Sequence, residues 1–137
     1  MLLSIQTKVA HDFFGIEKAI DIFAEVGYDA LDYSFFDGEP MRLLQSDDNE
    51  EYFRRVREYA NEKGLVFNQS HSPHPTSYAD EARTEKRFAE TVRAIKYAAV
   101  LGAKAIVVHP YQHLKYAEDG VPEKLFEINM EFYRKLI

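Results

Sequence analysis

The chain has 137 residues, a formal net charge of −6, 46% hydrophobic and 14% aromatic residues, and no cysteine. That size and apolar content suit one domain, spanning residues 1–137, with a sizeable core. The charge offers no basic face for a phosphate backbone, and the missing thiols exclude disulfides, thiolate nucleophiles and cysteine-based zinc sites. Met1-Leu2-Leu3-Ser4-Ile5 is too short for a signal segment and has no basic region before it, and no later run reaches transmembrane length. The expected setting is the cytoplasm, with neither membrane nor nucleic acid as partner.

Leu2 to Gln6 reads as a first strand with a polar exit through Thr7 and Lys8. Ile16, Ala19, Ile20, Phe23 and Ala24 recur at helical spacing opposite Glu17, Lys18, Asp21 and Glu25, and Gly27 closes that helix. Tyr28 to Phe36 is a second strand, with Asp32, Tyr33 and Asp37 near its exit. Gly38, Pro40 and Ser46-Asp47-Asp48 then predict a loop. Asp48 with Glu51 three residues later signals a helix start, Phe53, Val56, Tyr59 and Ala60 its apolar stripe, and Gly64 its end. Leu65 to Gln69 is the third strand. It runs into Ser70-His71-Ser72-Pro73-His74-Pro75, where two prolines predict a loop from His71 onward.

The longest helix is expected from Asp80 to Leu101, with Phe88, Val92, Ile95 and Ala99 on its apolar face and Gly102 closing it. Ala103 to Val108 is an apolar run between Gly102 and Pro110, rich in β-branched residues and too short for a helix. It reads as a fourth strand buried on both faces, delivering His109 at its end. Pro122 suits the first turn of a final helix carrying Leu125, Phe126, Phe132, Tyr133 and Leu136.

Gly27, Gly64 and Gly102 each end a helix and begin a strand at nearly equal spacing. The chain is therefore expected to be α/β: four consecutive βα units with parallel neighbouring strands and outer helices, half of a (β/α)8 barrel, which needs roughly 250 residues when complete. The last helix has no Gly or Pro stop, and strands one and four would be open edges. Both features predict either a shortened chain or an obligate homo-oligomer. An open doubly wound sheet would usually carry a Gly-rich phosphate loop, and neither GxGxxG nor GxxxxGK[ST] occurs.

All five histidines are placed just after strands and off helices: His11, His71, His74, His109 and His113. In parallel barrels that rim handles ligands. His109 and His71 are read either as carbonyl-satisfying strand-end residues or as contacts to substrate or metal. His11, His74 and His113 are read as solvated. Gln6, Asp32, Gln69 and Ser70 supply polar company, and Phe13, Phe14, Tyr33 and Phe35 apolar walls. Asp32 is a candidate base or hydrogen-bond anchor, or else a residue paired with a lysine. Lys8 and Lys115 are candidate anion contacts or plain surface lysines. Imidazoles with few carboxylates suit zinc, manganese or iron better than calcium.

Gly27-Tyr28-Asp29-Ala30-Leu31-Asp32, Gln69-Ser70-His71-Ser72-Pro73 and Gly102-Ala103-Lys104-Ala105-Ile106-Val107-Val108-His109-Pro110 resemble the first half of the xylose-isomerase-like TIM barrel superfamily. That group includes sugar phosphate isomerases and epimerases, inosose dehydratases and repair enzymes of the endonuclease IV type. The resemblance implies metal-assisted proton transfer next to a carbonyl of a sugar or sugar phosphate, with manganese or zinc as cofactor in the complete barrel. It implies that His71 and His109 line the sugar pocket, as substrate contacts with Asp32 and Gln69 or as metal ligands. The acid/base carboxylates are expected on later strands, and Asp32 stands where many members have a longer Glu. A non-catalytic half-barrel acting as an oligomer, and a metal-dependent phosphodiester hydrolase, remain as alternative readings.

Overall fold

A computed structural model describes residues 1–78, 80–111 and 122–137, so the expectations for His113 and Lys115 lie outside the described residues. The elements run β1 Ser4–Gln6, α1 Lys8–Phe14, α2 Ile16–Val26, β2 Ala30–Ser34, α3 Gly38–Leu43, α4 Glu50–Glu62, β3 Val66–His71, α5 Glu81–Leu101, β4 Ala105–Val107 and α6 Pro122–Leu136. The four strands are parallel and lie in chain order, β1-β2-β3-β4, as right-handed βα crossovers require. This is α/β architecture consistent with a partial TIM barrel.

The core lies between the sheet and the helices that follow its strands. Leu31, Tyr33, Phe35 and Phe67 meet Ile16, Ile20 and Phe23 of α2, Phe53, Val56 and Ala60 of α4, and Ala94, Tyr97, Ala98 and Leu101 of α5. Its centre is aromatic: Phe53 stacks on Tyr97 at 4.5 Å between centroids, and its ring meets Tyr33 edge-on at 5.8 Å. β2, between two strands and beneath the helices, is buried along its whole length.

Pairing between β2 and β3 is irregular at one point. Leu31 is opposite Phe67 but Asp32 is opposite Gln69, so Asn68 is passed over. The Asn68 side chain instead accepts a hydrogen bond from the Ser4 hydroxyl at 3.0 Å, and its carbonyl accepts from the Lys104 N–H at 3.1 Å.

Several expectations are corrected. β4 is not buried on both faces: Ala105 is exposed and Ile106 and Val107 are half-buried, because among the described residues no strand pairs with its outer edge. α1 and α3 occupy stretches that lacked a helical signal. In α1 only His11 is buried while Val9 and Phe13 face outward, so no apolar stripe exists to be read. In α3, Pro40 sits in the first turn, where its missing N–H would have had no helical partner.

β3 continues through Ser70 and His71 before the prolines take effect. α4 starts after Asn49, whose side chain donates to the Leu43 carbonyl, rather than after Asp48. On α5 the inward face is Thr91, Ala94, Tyr97, Ala98 and Leu101 together with Glu90, while Val92 is 46% exposed. Two polar residues point inward because they are satisfied there: the Gln45 amide donates to Glu90, Arg87 is paired with it, and the Thr91 hydroxyl donates to the Arg87 carbonyl.

Candidate functional site

Strand register brings the polar residues together. Asp32 is opposite Gln69 and Ser34 is opposite His71, while across β4 Ala105 is opposite Gln69 and Val107 opposite His71. Strand alternation then carries His109, two residues past Val107, onto the face that holds His71. Backbone bonds fix the strand exits. The Thr7 N–H donates to the Asp32 carbonyl at 2.9 Å, Phe35 N–H to the His71 carbonyl at 3.0 Å, and Ser72 N–H to the Val107 carbonyl at 2.9 Å.

Asp32, only 8% exposed, is the hub. Its Oδ2 accepts from the Gln69 amide at 2.8 Å, and its Oδ1 accepts from His71 Nδ1 at 2.9 Å. A buried carboxylate needs such donors, and here an amide and an imidazole N–H supply them. With Nδ1–H committed to Asp32, Nε2 is the His71 ring nitrogen left for another partner. The His109 ring stacks on His71 at 5.4 Å between centroids and 26° between planes. Phe36 packs against both, at 5.7 Å from His71 and 5.9 Å from His109, and His74 meets His109 edge-on at 5.4 Å. Burial, then the neighbouring His71 and His74 rings, hold His109 below the ordinary imidazole value. It is a neutral imidazole at neutral pH, able to donate or accept a hydrogen bond or to ligate.

Other candidates are placed elsewhere. Tyr33 and Phe35 are fully buried in the helix-side core and form no wall of this cluster; burial holds the Tyr33 hydroxyl well above the ordinary phenol value. Ser70, opposite Tyr33 and Ile106, faces the same way, and its buried hydroxyl has no partner among the described residues. His11 is neither solvated nor off a helix: it is buried on α1, with Nε2 donating to Glu39 Oε2 at 3.1 Å. Lys8 is engaged by Asp12 and by Asp37 at 2.6 Å, bonds that raise its pKa. Gln6, Phe13 and Phe14 are exposed. Phe36 was absent from the candidates, although it shares the period-two parity of Asp32 and Ser34. His74, exposed as expected, nonetheless touches His109.

Among the described residues, no group of three or more His, Asp or Glu side chains is arranged to hold a metal ion. His71 and His109 supply two adjacent imidazoles, and the carboxylate behind His71 is the kind of support that orients a metal-binding histidine. They fit part of a ligand set. A cavity of about 570 Å³ lies between α5 and α6, bordered by Ser77, Tyr78, Phe88 and Phe132, and no histidine lines it. Among the described residues, no helix is long and apolar enough to cross a membrane.

A search of the curated proteins finds no match. The model of one family, the xylose isomerase-like TIM barrel, matches residues 20–136. That family includes isomerases, epimerases and endonuclease IV-like enzymes, with sugar isomerases and epimerases prominent among them. Parallel βα units in barrel order, polar side chains gathered at the carboxyl ends of β2 and β3 and beyond β4, and a match over most of the chain lead to one conclusion: the chain belongs to the xylose isomerase-like TIM barrel family.

Proposed function

We propose that the chain forms the substrate-binding rim of a sugar or sugar phosphate isomerase or epimerase. The observation that carries this reading is the Asp32–His71 hydrogen bond with Gln69 and His109 beside it, at strand ends where barrels of this kind handle substrate. Asp32 fixes the tautomer and orientation of His71, so that Nε2 is presented to a sugar hydroxyl or to a metal. His109, neutral and stacked alongside, offers a second imidazole at a fixed spacing. Phe36 excludes water from one side of the pair.

His71 and His109 would contribute two ligands to a divalent ion such as manganese or zinc, which when bound polarises carbonyl and hydroxyl oxygens next to the carbon that exchanges its proton. The share of this chain is binding and orientation: Asp32 is committed to Gln69 and His71, so it serves as an anchor rather than a free base. The test is a titration of aldoses, ketoses and their phosphates into the protein, with and without manganese or zinc, followed through the His71 and His109 ring resonances. Binding that moves both sets and is lost in His71→Ala and in His109→Ala supports the reading. No response to any sugar, or unchanged affinity in both variants, rejects it.

A further inference from the structure

Phe36 lies on two imidazoles, yet its own segment is short and polar: Asp37, Gly38 and Glu39 follow it directly, and all three are exposed. What holds this segment comes from α1. Lys8 Nζ reaches Asp37 at 2.6 Å, and His11 Nε2 donates to Glu39 at 3.1 Å. Asp37 occupies the N-cap position of α3 but makes no capping bond; its carboxylate is turned toward Lys8 instead. At Gly38, whose φ of +63° suits glycine, the Asp12 carboxylate of α1 lies 3.6 Å from where a Cβ would stand. α1 is itself anchored to β2, because both the N–H and the hydroxyl of Thr7 donate to the Asp32 carbonyl.

We propose that Lys8 and His11 are positioning residues: through Asp37 and Glu39 they hold Phe36 against His71 and His109, and thereby set the apolar wall of the space above the imidazoles. The inference rests on the rim being a ligand site for its functional meaning. Its geometry stands without that reading. An exposed ion pair contributes little by itself, but here the Lys8–Asp37 ion pair and the His11–Glu39 hydrogen bond act together on one three-residue segment. Phe36 precedes this segment and follows Phe35, which is buried in the core, so its backbone is held from both sides.

The experiment uses the ring-proton resonances of His71 and His109 in the protein without sugar or metal. An aromatic ring at under 6 Å displaces these resonances, so Phe36→Leu gives the reference shift. Asp37→Ala with Glu39→Ala, both at exposed positions, removes both acceptors and is expected to move both histidines in the same direction as Phe36→Leu. Lys8→Met with His11→Leu is expected to do likewise, and Lys8→Arg to retain the original spectrum. If Asp37→Ala with Glu39→Ala leaves both histidines unmoved while Phe36→Leu shifts them, the positioning role is overturned. If Phe36→Leu itself shifts neither, the contact is overturned. Neither outcome depends on sugar binding, so failure here is distinguishable from failure of the proposed function.

Discussion

The Asp32 carboxylate and the His71 imidazole, contributed by neighbouring parallel strands, are joined by a 2.9 Å hydrogen bond in a half-buried setting. The second carboxylate oxygen is taken by Gln69. Removing Asp32 therefore strands two donors. Asp32→Ala should lower stability by about 1–3 kcal/mol, the cost of leaving buried polar groups unpaired. Asp32→Asn should cost less, because its one remaining oxygen still accepts from one of the two donors. Urea unfolding of the three proteins measures the difference, and equal midpoints for Asp32→Ala and the parent chain would contradict the hub assignment.

His109 titrates below the ordinary value of 6.5. In the window between its folded value and 6.5 the unfolded chain holds a proton that the folded chain does not, so stability rises with pH there. The contribution is complete above 6.5 and is lost as pH falls through the folded value. His109→Gln should flatten this part of the stability profile, and His74→Ala, which removes a like charge, should bring the His109 titration closer to 6.5. Ring-proton titration and urea midpoints across the acid range test both. An unchanged profile in His109→Gln would sink the assignment.

Phe53 is fully buried and stacks on Tyr97 while touching Tyr33 and Phe35. Phe53→Ala should destabilise the fold by about 3–5 kcal/mol. Tyr97→Phe keeps the stack but removes a hydroxyl that donates to the Ser46 carbonyl at 2.6 Å and accepts from the Asn49 N–H at 3.3 Å, at about 1–3 kcal/mol. Thermal and urea denaturation should rank the two in that order.

Among the described residues, the outer edges of β1 and β4 have no strand partner, and Val66 on β3 is 44% exposed. Unpaired parallel edges favour pairing with further strands. We expect the 137-residue chain to self-associate, with sedimentation velocity showing a concentration-dependent species of twice the chain mass or more. A single monomeric boundary at every concentration would count against pairing through these edges.

The strands and the principal helices were legible because short apolar runs that begin just after helix-ending glycines leave strong local marks: Gly27 and Gly102 do adopt left-handed conformations where α2 and α5 end. Asp32, Gln69, His71 and His109 were legible as a group because strand ends converge on one rim. α1 was not, since a helix whose one buried side chain is a histidine has no apolar period. The inward face of α5 was misread because Glu90 and Thr91 look like surface residues until Gln45 and Arg87 are seen beside them. Tyr33 and Phe35 were misassigned by proximity in sequence, where side-chain parity assigns Phe36 instead.

Parity also gives the passed-over Asn68 a meaning. Counted strictly from the Leu31–Phe67 pair, alternation would set Asn68 and Ser70 beside Asp32 and turn Gln69 and His71 toward the helices. The single extra residue reverses this, as bulges do when they re-aim a side chain. The imidazole thus faces the rim through an odd-numbered offset in chain length, independent of any preference of histidine itself. Loss of one codon at position 68 would close the bulge and keep His71 opposite Ser34, whereas regular pairing with Asn68 retained would put Ser70 there and part the imidazole from Asp32, with every residue type at the strand end unchanged.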